Sequence, residues 1–242
     1  MRINTSKDEI RKSIWRLLEE RGVARFPKPV FGRIPNFVGA EEAAHVLCRT
    51  PIYRKAEVVK VNPDSPQLEV RRTTLRDGKL LLMPTPRLSS GFLLLDPKVI
   101  PSSSIDEAAT IKGSFRFGRS IQPSEIPHVD LIVLGSVAVS REGWRLGKGE
   151  GYGEIEYAIL REFGKVDDNV PVVTTVHDLQ IVEYIPHDRY DVPVDYIITK
   201  SSFYEVKPRK TKPSGIYWED LPDKKVKEIP ILQQLLKDRR RV

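Results

Sequence analysis

The spacing of apolar positions divides the chain into a helical front and an α/β body. Ile10, Ile14, Leu17 and Leu18 recur at helical spacing over residues 6–21. Ser6 with Glu9 three residues on makes a capping box, and Gly22 supplies the stop. "AEEAAHVLCR" (40–49) predicts a second helix. Residues 65–77 predict a third, with Ser65 as N-cap, Pro66 at the first helical position and Gly78 at the end. Between the first two helices, "FPKPVFGRIPNFVG" (26–39) is too rich in proline and glycine to be regular. From residue 79 the period changes. "KLLLMP" (79–84), "DLIVLGSVAV" (130–139), "PVVTTVH" (171–177) and "VDYIIT" (194–199) are apolar runs without alternation. Strands of that kind are covered on both faces, as in a parallel sheet. "EIEYAILREF" (154–163) is helical, with Ile155, Ile159 and Phe163 on one face and Glu156 turned to solvent. Residues 230–240 predict a last helix. Strand, helix and strand in succession give an open α/β fold.

One stretch carries candidate chemistry. "GWRLGKGEGYGEIEYAIL" (143–160) runs from a polar turn through Gly147, Gly149 and Gly151 into a helix. Glycine lets a phosphate approach the backbone, and a helix N-terminus offers unpaired N–H groups. Arg145 and Lys148 add charge, Glu150 lies within the run, and Tyr152 can close over a ring or donate to an oxygen. The order fits neither GxxxxGK[ST] nor GxGxxG, and a tight strand-to-helix connection would also explain it. Lys7 and Arg11, four apart on the first helix, share a face that reaches either a cleft or solvent. Arg87, just after a strand, and Asp195, opening another, are candidates for contacting a substrate. His177 and Asp178 suit a metal or an acid–base pair, or a cap.

Charge sharpens the organisation. The net charge is +7. Residues 200–242 hold twelve Lys/Arg against six Asp/Glu, which leaves +1 for the first 199. This predicts an α/β domain over 1–204 and a basic C-terminal extension over 205–242. The extension reads as an arm for phosphate or nucleic acid, or as a solvated tail. Cys48 is the only cysteine, which excludes a disulfide framework or a CxxC site within one chain and predicts a reducing, cytoplasmic setting. The longest apolar runs are too short to cross a bilayer.

Three segments together resemble a known family. "KDEIR" (7–11) resembles the K-x-x-[LI]-R opening of 5-formyltetrahydrofolate cyclo-ligases, also called methenyltetrahydrofolate synthetases. "VAVSREGWRLGKGEGYGE" resembles their signature P-x-V-A-F-D-x-x-G-x-R-L-G-x-G-x-G-Y-Y-D. "HDRYDVPVDYIIT" resembles their closing H-D-x-x-[VM]-D-x-I-[VI]-T. "RIPNF", "MPTPRL", "VVTTVHD" and "KPSGIYW" bring the chain nearer still to the methenyltetrahydrofolate synthetase domain-containing branch. The resemblance implies a three-layer α/β/α fold with an open, mostly parallel sheet. It implies ATP and Mg²⁺, with Lys7, Arg11, Arg145, Gly147, Lys148, Gly149, Glu150, Gly151 and Tyr152 around the phosphates. Arg145, Tyr152 and Glu154 would serve catalysis, Glu154 would hold the metal, and Arg87 and Asp195 would meet a reduced folate or related pterin. The implied reaction phosphorylates the formyl oxygen of 5-formyltetrahydrofolate and closes the ring to 5,10-methenyltetrahydrofolate. Two departures bear on it. The family's A-F-D becomes Ala138-Val139-Ser140, which removes an acid, and Y-Y-D becomes Tyr152-Gly153-Glu154. "VVKVNPDSPQLEV" shows no clear counterpart of the family's substrate-contacting glutamate. A non-catalytic nucleotide- or RNA-binding protein on the same fold therefore stands as the rival expectation.

Overall fold

The computed structural model describes residues 5–239. Eight strands form the main sheet: β1 (Val58–Val61), β2 (Leu80–Pro84), β3 (Phe92–Leu95), β4 (Arg119–Ile121), β5 (Leu131–Leu134), β8 (Val172–Thr175), β10 (Tyr196–Ile198) and β11 (Phe203–Glu205). Three short ones, β6 (Ala138–Ser140), β7 (Arg145–Leu146) and β9 (Ile181–Val182), form a second sheet. The main order is β11-β10-β8-β5-β1-β2-β3-β4. The five central strands are parallel, and β11, β3 and β4 pair antiparallel at the edges.

Helices cover both faces, which is why the strand sequences lack alternation. On one face Val59, Val61, Leu81 and Val133 pack against α2 (Ala40–Cys48), α3 (Pro51–Lys55), α4 (Leu68–Arg76) and α5 (Ile105–Ala108), with α6 (Ile111–Phe117) beyond. On the other, Val58, Leu82, Ile132 and Val172 meet α7 (Tyr152–Glu162) through Ile155, Ile159 and Leu160. Helix α1 (Lys7–Glu20) lies on the small sheet, with Ile10, Ile14, Trp15 and Leu18 against Val137, Ala138 and Leu146. Its capping box forms as the sequence predicts.

The predicted strand 130–139 is two strands in two sheets. The break falls at Gly135, where a side chain would meet Ile34, Gln67 and Asp64 at 2.8–3.0 Å. The helix expected over 65–77 opens with a 3₁₀ turn, Ser65–Gln67, before α4 begins. The chain beyond residue 204 is joined to the body. β11 spans the boundary that charge alone marks, and α8 (Asp223–Glu228) and α9 (Pro230–Arg239) follow, with Ile229 and Leu232 fully buried. Residue 240, the end of the predicted last helix, lies outside the described residues.

Candidate functional site

A cleft of about 600 Å³ opens where β2 ends, between α1, the N-terminus of α7 and the segment around α8. Ligands in open α/β sheets bind beyond the carboxyl ends of the strands. The glycine run forms its floor. Gly151 precedes α7 with φ 72° and no side chain caps the helix. The first helical bond is Ile155 N–H to the Gly151 carbonyl at 3.1 Å. Among the described residues the N–H groups from Gly147 to Glu154 donate to no backbone carbonyl or side chain. Such a row of unpaired amides at the positive end of a helix dipole can receive an anion. Gly149, at φ 103°, leaves room for Arg11, whose guanidinium carbon would lie 3.3 Å from a Cβ there.

The predicted cations converge on this floor. Arg11 donates from Nε to the Gly147 carbonyl at 2.8 Å and pairs with Asp8. Lys7 reaches across to Asp188 at 2.7 Å and Asp191 at 2.5 Å. Burial works against the Lys7 charge, but these hydrogen bonds prevail and raise its pKa above the ordinary lysine value. The bond from Lys7 holds the Asp188 carboxyl below its ordinary value. Lys148 pairs with Glu150 at 2.7 Å. Burial would raise the Glu150 pKa, but Lys148, with the charges of Arg87 and Lys225, lowers it. Arg87 and Tyr152 line the cleft as well.

Arg145 lies deeper than a free phosphate clamp would. It is 5 % exposed, donates from one terminal nitrogen to the Gly135 carbonyl at 2.7 Å and from the other to Glu154. It pins the break between the two sheets and fixes Glu154 at the cleft wall. Its Nε–H has no acceptor among the described residues. No group of three or more His, Cys, Asp or Glu suited to a metal occurs among the described residues. Mg²⁺ needs no such cage, since it is held by one or two carboxylates together with substrate phosphates. Glu154 beside a phosphate floor fits that habit. Ser140, where the family carries an acid, is buried, and its hydroxyl accepts the Trp144 N–H at 3.2 Å.

Two sequence readings are corrected. Asp195 does not face the cleft. It precedes β10 at the opposite end of the sheet, is 2 % exposed, accepts the Val172 N–H at 2.8 Å and pairs with Lys212 at 2.8 Å. Glu156 does not face solvent. It is 4 % exposed and pairs with Lys60 from β1, while Asn62 donates to it at 2.9 Å. Burial pushes its carboxyl above the ordinary value. The lone lysine in the apolar strand "VVKV" was the available signal: a buried lysine needs an acid, and the nearest face offers Glu156. His177 caps a 3₁₀ turn, accepting the Leu179 N–H at 3.1 Å.

Sequence reasoning missed three acids and a wall. Asp188 and Asp191 receive Lys7. Asp64, after β1, sits among Lys148, Arg71, Lys60 and Arg145, and burial raises its carboxyl pKa against their opposing charge. Residues 215–232 supply a cleft wall that includes Ile216, Tyr217, Leu221 and Lys225. A charge count separates this wall from the domain, and only packing reveals it.

The chain is 40 % identical over 239 residues to the methenyltetrahydrofolate synthase domain-containing protein of Bos taurus, an alignment covering 97 % of this chain. It is 41 % identical over 235 residues to that of Mus musculus, covering 95 % of this chain. The chain spans 63 % of the length of both relatives. The solution structure of Aquifex aeolicus 5,10-methenyltetrahydrofolate synthetase shares the fold at a TM-score of 0.54 and 20 % identity, covering 85 % of this chain and 95 % of that one. Residues 3–200 match the 5-formyltetrahydrofolate cyclo-ligase family, and the chain belongs to that family.

Proposed function

We propose that the protein is an ATP-dependent cyclo-ligase acting on 5-formyltetrahydrofolate or a closely related reduced pterin. The observation that carries this reading is the row of unpaired amides from Gly147 to Glu154 at an uncapped helix N-terminus, with Lys7, Arg11 and Lys148 beside it. The triphosphate lies on those amides. Tyr152 stands at the rim, and Arg87 faces the substrate side. Glu154, steadied by Arg145, would hold Mg²⁺, and the metal would supply charge neutralisation. Phosphoryl transfer depends on positioning and charge compensation rather than on a protein nucleophile, which suits a cleft of this composition. The γ-phosphoryl group passes to the formyl oxygen, the N10 amine attacks the activated carbon, and phosphate leaves as the ring closes.

Nucleic-acid binding by the basic tail has weaker support. Lys207 pairs with Glu205 at 2.8 Å, Lys210 with Glu142 at 3.9 Å and Lys212 with Asp195 at 2.8 Å, so much of that run is engaged within the chain. Arg240 and Arg241 lie outside the described residues. No helix among the described residues is long and apolar enough to cross a membrane, and a cytoplasmic setting is part of this proposal. The direct test mixes the protein with 5-formyltetrahydrofolate, ATP and Mg²⁺. The methenyl product and ADP should appear in equal amounts. Tight ATP binding with neither product would contradict the enzyme reading and leave a nucleotide-binding protein.

A further inference from the structure

Residues 201–242 lie beyond the stretch that matches the family, yet residues between 215 and 232 wall the cleft. Their anchor is apolar: Val206, Ile229 and Leu232 are buried in the same core cluster as Ile155 and Ile159 of α7. That anchor holds α8 over the glycine run. The Lys225 ammonium lies 3.5 Å from the centroid of the Tyr152 ring, at the first residue of α7. The Tyr152 hydroxyl points to Glu228 at 3.5 Å.

Arg87 comes to the same place from the turn between β2 and β3. Arg87 and Leu88 hold φ of 58° and 53°, positive values that residues with side chains rarely adopt. The Thr85 hydroxyl braces the turn, donating to the Gly91 carbonyl at 3.0 Å and accepting the Ser90 N–H at 3.0 Å. Strain of this kind persists where surrounding structure enforces it, and it clusters at ligand clamps.

The cations of the cleft fall into two classes. Lys7, Arg11, Arg145 and Lys224 each have a carboxylate within ion-pair distance. Arg87 and Lys225 have none among the described residues, although both line the cleft. Their charges act on Glu150, which sits between Gly149 and Gly151 and is paired with Lys148.

We infer that Arg87 and Lys225 form a second anion-binding arm, facing the glycine run, that grips an oxyanion of the bound ligand. Glu150, which also lines the cleft, competes for their charge until that oxyanion enters. The group is a phosphate of the nucleotide or a carboxylate of the pterin's glutamate tail. The inference rests on the cyclo-ligase reading for the ligand's identity. The arm itself is a property of this chain's C-terminal wall.

Calorimetry tests it with three probes: inorganic tripolyphosphate, ATP, and 5-formyltetrahydrofolate. The variants are Lys225→Met, which keeps the length and loses the charge, Arg87→Gln, and Lys225→Arg as the conservative rescue. Lys237→Met on the exposed part of α9 is the control. Lys225→Met and Arg87→Gln should each weaken one class of probe about tenfold, the scale of a charged hydrogen bond. Lys225→Arg should restore most of the affinity. Melting temperatures should stay unchanged, which a merely structural role for Lys225 would not allow alongside lost affinity. Weakened tripolyphosphate and ATP identify the phosphate, and weakened 5-formyltetrahydrofolate alone identifies the carboxylate. Wild-type affinity of both variants for all three probes overturns the arm, as does a wild-type protein that binds none of them. Lys225-dependent tripolyphosphate binding without any methenyl product would sink the cyclo-ligase reading and leave the arm standing.

Discussion

The two ends of the parallel strands carry the same residue types and use them differently. Where the strands begin, Asp195 takes the Val172 N–H and the Lys212 ammonium, each at 2.8 Å. Lys212 also donates to the Asp168 and Val170 carbonyls at 2.9 and 3.0 Å. The pair is closed: both side chains are almost fully buried, with polar partners on every side. At the other end, cations and carboxylates pair at the rim of an open cleft, above a row of amides with no partner among the described residues. A buried pair with complete partners serves the fold. Partly exposed pairs over unsatisfied donors serve a ligand that can displace them.

Breaking the closed end should have the largest effect. Lys212→Met leaves Asp195 buried with a weaker partner, Arg209 at 3.7 Å. Removing one member of a buried pair costs about 3–5 kcal/mol. Urea denaturation should show that loss, with ATP affinity unchanged below the transition. If ATP affinity fell while stability held, the division between the two ends would be wrong.

Opening the other end should act on binding. Arg145→Ala removes the brace on Glu154 and a buried positive charge beneath the amides. ATP binding should weaken by about 1.5–3 kcal/mol, the scale of hydrogen bonds to charged groups, and calorimetry reads it. An unchanged affinity would make Arg145 purely structural.

Asp64→Asn sharpens the contrast, because here the cleft end should cost the fold stability. Burial raises the Asp64 pKa above its ordinary value of 3.8. The folded state therefore keeps a proton that the unfolded state releases, and stability falls as pH rises from about 3.8 through the higher folded value. Asparagine carries no such penalty. The variant should match the wild type in acid and exceed it at neutral pH. A variant less stable at pH 7 than the wild type would refute this assignment of Asp64.

The smallest effect belongs to the rim pair of Lys7 and Asp188. The Asp188 pKa is depressed, so its contribution is present above the ordinary 3.8 and is lost as pH falls through the lower folded value. The Lys7 pKa is raised, so its contribution is full below 10.5 and is lost as pH rises through the higher folded value. Between those limits Lys7→Met should cost at most about 1 kcal/mol, as partly exposed pairs do. A loss that varied strongly between pH 5 and 9 would mean that another group titrates with the pair.

How legible each region was in the sequence follows from the range of the forces that shape it. The helix opening at Ser6, the apolar central strands and the glycine run were legible because caps, period and glycine act over a few residues. The break at Gly135 was not, since the obstacle comes from Ile34, Asp64 and Gln67. Glu156 was placed in solvent by helical period, which says nothing of a lysine on a distant strand. Asp195 read as a cleft residue from its charge beside a strand, although a residue that opens a parallel strand lies at the end away from the ligand. The C-terminal wall was hidden by its own charge: the segment whose lysines suggest a solvated arm also buries Ile229 and Leu232 in the core.

The central claim is that the amides from Gly147 to Tyr152 receive the phosphates of a nucleotide. Amide-resolved NMR of the labelled protein, titrated with ATP and Mg²⁺, examines it residue by residue. The account predicts the largest shifts at Gly147, Gly149, Gly151 and Tyr152, with slowed hydrogen exchange at the same positions. ATP that saturates the protein while leaving those amides unmoved would contradict it.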